Sequence, residues 1–249
     1  MMTYSAPDFL VYPELGSTNT ELKRLLSERE LAEHSVVITN YQTAGKGQVG
    51  NKWESEPNSN LTFSLLLKPT FLAPHLQFYI SKAVSLALID TIKQVSQQDA
   101  TIKWPNDIYV NDSKVAGILI ENSILGSALD YCIVGIGLNV NQEVFVSDAP
   151  NPVSLKQLTG QHFELEQVLE LLLDNIIERY HQLETHRMAL INDDYLTNLY
   201  RKEGTYSYRD DKETFEAQIA SVNEMGLLTL VDTKKQKREY AFKEVQFVM

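Results

Sequence analysis

The sequence predicts an α+β fold with one large unit and one small one, on three observations. Two stretches, residues 74–95 and 164–187, carry a long helical rhythm of apolar residues. Between them, residues 101–138 break into short apolar runs separated by tight polar turns. After Gly204 the pattern changes to short alternating strands and stays so. The length of 249 residues suits one large domain plus a small one. The division is placed at 1–202 and 203–249.

Taken in order, Leu22, Leu25 and Leu26 predict a helix from Asn19 to Leu31, opened by a capping box at Thr18-Asn19-Thr20-Glu21. Val36–Thr39 and Leu61–Leu67 read as strands. Pro74 to Val95 is a second helix, with Leu76, Ile80, Ala83, Val84, Ala87, Leu88 and Ile92 on one side. Residues 101–103, 107–110, 114–121 and 131–138 read as strands, with Asn111-Asp112-Ser113 as a hairpin turn. Glu164 to Arg187 is a third long helix, facing inward with Leu165, Val168, Leu169, Leu172, Leu173, Ile176 and Tyr180. Residues 193–201 continue helically. Strands follow at 213–219, 226–231, 239–242 and 245–248. The basic patch Lys234-Lys235-Gln236-Lys237-Arg238 reads as a solvated hairpin tip.

Composition narrows the function. Apolar residues make up 43% of the chain, enough for a packed core. The net charge of −11 argues against general affinity for nucleic acid or anionic membranes. One cysteine, Cys132, cannot form an internal disulfide and points to a reducing, cytoplasmic setting. Met1-Met2-Thr3-Tyr4 lacks the features of a signal peptide, and no apolar run approaches membrane-spanning length. His34, His75 and His162 are scattered, and His181 and His186 lie five apart, so no histidine set has metal spacing. Phosphate-binding G-x-x-x-x-G-K-[ST] and esterase G-x-S-x-G patterns are absent.

Gly45-Lys46-Gly47-Gln48-Val49-Gly50 matches G-x-G-x-x-G, but its surroundings exclude a dinucleotide site. That site needs a helix opening at the third glycine, whose N-terminus meets a pyrophosphate. Here a polar run, Asn51 to Asn60, leads into the strand Leu61–Leu67. The loop therefore joins two strands. Kinases also use strand–loop–strand, but neither H-R-D nor D-F-G occurs.

The second motif is Lys103-Trp104-Pro105-Asn106-Asp107, followed by Lys114-x-x-Gly117-Ile118-Leu119-Ile120-Glu121. Together with Ser17-Thr18-Asn19, Gln42, Trp53-x-Ser55 and Gly135-Ile136-Gly137-Leu138-Asn139-Val140-Asn141, it resembles biotin–protein ligases. The blocks fall in the family's order and span residues 17–141. The resemblance implies a catalytic domain like that of class II aminoacyl-tRNA synthetases, a mixed sheet with flanking helices. It also implies a small SH3-like β-barrel at the C-terminal end. The motifs begin within twenty residues of Met1, which leaves no room for the helix-turn-helix domain of some relatives. Specific DNA binding is therefore not expected.

The family reaction joins biotin to ATP as biotinyl-5′-AMP, with magnesium accompanying the triphosphate. The acyl group then passes to a lysine of the biotin carboxyl carrier domain of a biotin-dependent carboxylase. Both steps gather negative charge at one phosphorus and one acyl carbon, so fixed cations and N–H donors are needed. The resemblance gives Lys114 and Lys46 the catalytic roles. It places biotin against Ser17, Thr18, Asn19, Gln42, Gly45, Lys46, Gly47, Gln48, Lys114, Gly117, Leu119, Gly135 and Gly137. It places ATP against Lys46, Gln48, Trp53, Asn106, Asp107, Lys114 and Asn139, with Asp107 as the metal residue.

The residue chemistry agrees. A ureido ring offers one carbonyl and two N–H groups, which hydroxyls and amides match. An ammonium at Lys114 is a compact charge for a carboxylate and a phosphate. Gly135 and Gly137 in an apolar strand suggest close approach by the biotin rings. Plainer readings stand beside these: Lys114 as a surface lysine near a turn, Thr18 as a cap, Trp53 as core, and Asn106-Asp107 as a turn. Family loops typically read G-R-G-R-x-G-R; here Lys46, Gln48 and Asn51 stand at the three arginine positions. Two alternatives remain at this level: a lipoate or octanoate ligase or transferase of the same fold, and a biotin-binding module without catalysis. The oligomeric state is open, a homodimer being one option.

Overall fold

The structure is a computed structural model, and it describes residues 8–48, 51–146 and 151–248. Val49 and Gly50 of the glycine loop, and the Met1-to-Tyr4 segment, lie outside the described residues.

The large unit is a mixed seven-stranded sheet. Its strands are β1 (Phe9–Tyr12), β2 (Val36–Thr39), β3 (Leu61–Leu67), β4 (Ala100–Lys103), β5 (Asp107–Val110), β6 (Ser113–Leu125) and β7 (Ala128–Leu138). They lie in the order β1-β2-β3-β7-β6-β5-β4. Only β1 and β2 run parallel; the other neighbours are antiparallel. The 40–60 loop therefore joins two adjacent antiparallel strands, as the sequence predicts.

Alternation along β3, β6 and β7 gives the sheet two different faces. Phe63, Leu65, Ile118, Val134 and Ile136 belong to the main core. This core is completed by α2 (Phe78–Ser96) and α4 (Leu165–Glu184), both of which bury an apolar side. The opposite face carries Ser64, Gly135 and Leu119 in one cross-strand row, and Thr62, Gly137 and Gly117 in the next. Small residues at the centre of both rows leave a depression. Helix α1 (Thr18–Glu28) flanks it, its Leu22 and Leu25 packing on Val37, Leu66 and Ile133.

The second sheet contains β8 (Tyr206–Arg209), β9 (Thr214–Val222), β10 (Leu228–Asp232), β11 (Lys237–Tyr240) and β12 (Gln246–Phe247). It is antiparallel, in the order β11-β10-β9-β8-β12. Its inward residues, including Tyr208, Phe215, Ile219 and Leu230, join the main core. The basic patch is exposed at Lys234, Lys235 and Lys237, between β10 and β11. Arg238 turns back to Asp232 and Glu213.

Several expectations are corrected. The box at Thr18–Glu21 does not form: Ser17 is the N-cap, without a side-chain cap bond, and Thr18 is already helical. Glu21 is drawn away by Tyr12 and Arg24, which bond its carboxylate. A capping box does form at Ser154 and Gln157, opening α3 (Leu155–Thr159). The third long helix stops at Glu184, and α5 (Met188–Thr197) is a separate element. Strands β1 and β8 were not among the predicted strands. No helix among the described residues is long and apolar enough to cross a membrane.

Candidate active site

A cavity of about 100 Å³ lies in the depression of the sheet. Its walls include Ser17, Thr18 and Asn19 from the start of α1, Gln42 and Lys46–Gln48 from the loop, Trp53, Asn106, Asp107 and Lys114, and Gly117, Leu119, Gly135 and Gly137 from the strands. Residues far apart in the chain thus meet in one place.

The α1 end is a closed polar network. The Thr18 backbone N–H donates to Gln42 Oε1 at 2.9 Å. Asn19 Nδ2 donates to Glu121 Oε2 at 2.8 Å and to the Leu119 carbonyl at 3.2 Å. Ser64 Oγ lies 2.5 Å from Asn19 Oδ1 and 2.8 Å from Thr18 Oγ1. Freed from capping, the Thr18 hydroxyl belongs to this network. Ser64 and Glu121 were not among the expected site residues. A serine inside the buried run Leu61–Leu67 was the available signal for the first.

The other end holds Lys114. A bulge where β5 meets β6 sets Ile108 against Ala116 but Tyr109 against Lys114. Val115 is the extra residue, and it shifts the alternation so that Lys114 shares a face with Gly117. The Lys114 Cε would lie 3.4 Å from a Cβ placed on Gly117. Lys114 Nζ is 2.6 Å from Asp107 Oδ1, with both side chains about one-fifth exposed. Asn106 is clipped to β6: its Nδ2 donates to the Ile118 carbonyl at 2.8 Å, and its own carbonyl accepts from the Ile118 N–H.

The K-W-P-N-D block therefore divides. Asn106 and Asp107 face the cavity, while Lys103 and Trp104 face the small sheet. Trp104 Nε1 donates to the Gly226 carbonyl at 2.9 Å, and its ring meets Phe242 edge-on. Lys103 Nζ donates to the Tyr109 hydroxyl and lies 5.6 Å from the Phe247 ring centre. Burial pulls the Lys103 ammonium below the usual lysine range, opposed by Asp107.

Gly135 and Gly137 make room for protein side chains: a Cβ at Gly135 would meet Asn19 Oδ1 at 2.3 Å, and one at Gly137 would meet the Trp53 ring at 2.2 Å. Trp53 thus covers the glycines of the sheet, and its indole N–H has no hydrogen-bond partner among the described residues. Its ring also explains why the cavity is smaller than the roughly 300–1,000 Å³ usual for small-molecule sites. Among the described loop residues, the Gly47 N–H is bonded to the Asn51 carbonyl and Lys46 Nζ to Thr20 Oγ1. Asn139 does not line the cavity. It is buried, holding the Val153 carbonyl.

Among the described residues, no group of three or more His, Cys, Asp or Glu could hold a metal ion by itself. Asp107 is the one carboxylate among the described residues lining the cavity. Magnesium commonly takes one or two carboxylates and completes its shell with phosphate oxygens and water. The donor set fits a metal that arrives with a triphosphate.

Residues 11–139 match the model of the biotin/lipoate A/B protein ligase family. The chain belongs to that family, as an enzyme of its biotin ligase branch. It is 33% identical to the biotin--[acetyl-CoA-carboxylase] ligase of Paracoccus denitrificans over 194 residues, covering 74% of this chain and 78% of that one. It is 28% identical to the bifunctional ligase/repressor BirA of Bacillus subtilis over 242 residues, covering 93% and 72%. In fold it is similar to the Aquifex aeolicus biotin protein ligase solved with biotin and ATP, at a TM-score of 0.81 and 23% identity. That likeness covers 97% of this chain and 100% of that one.

Proposed function

We propose that this chain activates biotin with ATP as biotinyl-5′-AMP, then transfers the biotinyl group to a lysine of a biotin carboxyl carrier domain. One observation carries the reading. The Thr18–Asn19 network and Lys114 line one cavity over neighbouring rows of the sheet, Asn19 against Gly135 and Lys114 against Gly117, so a polar ring held by the first would have its acid tail within reach of a cation at the second.

In the first step a carboxylate oxygen attacks the α-phosphorus and pyrophosphate leaves. Lys114 would leave Asp107 for the carboxylate and α-phosphate, stabilising charge that grows in the transition state. Asp107 would then be free for magnesium, which supplies charge neutralisation on the triphosphate when bound. Trp53 would move off Gly117 and Gly137 to admit the ligand and cover it, excluding water. In the second step the carrier amine attacks the acyl carbon, AMP leaves, and the amine loses a proton.

The network also argues against a lipoate or octanoate substrate. Neither has a ring carbonyl or ring N–H to match the lone pairs of Thr18 and the amide of Gln42, so both would gain no hydrogen bond at this polar surface. The setting we infer is the cytoplasm, where Cys132 stays reduced; burial pushes this thiol up to about 12. The test is incubation with labelled ATP, a carrier domain, and biotin, lipoate or neither. Pyrophosphate release that depends on biotin and ends in a modified carrier supports the reading. Release driven by lipoate, or biotin binding without turnover, contradicts it.

A further inference from the structure

Glu121 does not line the cavity, yet its carboxylate ends the polar network that does. A carboxylate can only accept hydrogen bonds, as can the Leu119 carbonyl. Both lie against one end of the Asn19 amide, so that end must be the NH₂ group. Asn19 Oδ1 is thereby turned toward Ser64. Ser64 is fully buried and has a single proton to give. Oδ1 cannot donate, so that proton goes to Asn19. The contact between Ser64 and Thr18 must then be donated by Thr18, whose proton is drawn inward. Its alternative, Gln42 Oε1, is farther at 3.3 Å and already accepts from the Thr18 N–H.

The consequences reach the cavity. Thr18 presents only lone-pair density to a ligand, and Gln42, with its oxygen engaged, presents its NH₂. A ligand must bring N–H to the first and an acceptor to the second. We infer that Glu121 is a positioning residue that sets the donor and acceptor polarity of the ring-binding end, through Asn19, Ser64 and Thr18. It thereby selects a cyclic urea over isosteres with a different polarity. This rests on the biotin reading above.

The change is Glu121→Gln, which keeps shape but lets position 121 donate as well as accept. Asn19 is then held in its orientation only by the longer bond to the Leu119 carbonyl. In biotin-dependent pyrophosphate exchange, KM for biotin should rise about tenfold while kcat stays within about twofold, as expected for a binding hydrogen bond weakened equally in ground and transition states. Preference for biotin over 2-iminobiotin, in which an imino nitrogen replaces the carbonyl oxygen, should fall by about fivefold. Ser64→Ala should give the same two changes. The double variant should be no worse than either single one, because both break the same chain, whereas independent sites would multiply.

No biotin-dependent exchange by the wild type would overturn the functional reading and this inference with it. An active Glu121→Gln enzyme with unchanged KM and unchanged preference would overturn the inference alone. So would multiplicative effects in the double variant. Loss of the folding transition in Glu121→Gln would assign the carboxylate to the fold and likewise defeat the role proposed here.

Discussion

At the α1 end of the cavity, Thr18, Asn19, Ser64 and Gln42 hold one another and Asn19 reaches Glu121, so the polar surface is set before any ligand arrives. At the Lys114 end the charges are occupied with other protein groups. Lys114 and Asp107 pair with each other, and the glycine loop's cation, Lys46, is held on α1 by Thr20. The contrast teaches how one cavity can be rigid toward one ligand and incomplete toward the next. Hydroxyls and amides can be satisfied internally and still offer lone pairs or protons. An ammonium aimed at a phosphate has to let go of its internal partner first.

The strongest way to break this comparison is Lys114→Ala. Adenylate formation should fall by roughly 10²–10³, the usual cost of removing one electrostatic stabiliser. The folding transition should stay intact, because the side chain is partly exposed. Near-wild-type single-turnover rates would remove Lys114 from the chemistry.

Thr18→Val tests the other end. It removes the hydroxyl but keeps the shape. KM for biotin should rise about tenfold with little change in KM for ATP, as expected for one lost hydrogen bond. Equal effects on both substrates would erase the distinction between the two ends.

A smaller effect is expected at Trp104→Phe, which keeps a ring against Phe242 but loses the bond to Gly226. The K-W-P-N-D turn is the link between the small sheet and Asp107. KM for ATP should rise about threefold to fivefold, consistent with about 1 kcal/mol for a buried hydrogen bond, while KM for biotin holds. A change in biotin affinity alone would show that the turn serves the wrong end.

The smallest effect concerns the loop. Gln48 lines the cavity at a position where family loops carry arginine. Gln48→Arg should slow release of preformed biotinyl-5′-AMP by roughly threefold at low salt, since charge-assisted bonds are about twice as strong as neutral ones. The gain should shrink as salt rises. Equal release rates at low salt would mean that residue 48 does not face the phosphate.

These predictions also mark what could be read from the sequence. The long helices, the strand–loop–strand around the glycines and the Lys114 motif were legible, because their periods and spacings are local. Ser64 was not, since its partners Thr18 and Asn19 are 46 and 45 positions away and only strand pairing joins them. Glu121 lies 102 positions from Asn19. Gly135 and Gly137 line the cavity, but that Asn19 and Trp53 also pack against them was not legible, because a sequence does not say which side chains meet across the sheet. The wrong cap at Thr18 has a related origin: a local pattern fitted, but Ser64 and Gln42 engage Thr18, and Tyr12 together with the helix neighbour Arg24 takes Glu21. The two faces of the K-W-P-N-D block depend on where a second sheet docks, which no residue within the block announces.

The most direct measurement is calorimetric titration of the free protein with each substrate alone, and of the biotin-loaded protein with a non-hydrolysable ATP analogue. The account predicts that biotin binds without nucleotide, and that the analogue binds at least about tenfold more tightly once biotin is present, a coupling of about 1.4 kcal/mol. The analogue binding equally well to the free and loaded protein would contradict the claim that one end of the cavity is built in advance and the other is completed by the first ligand.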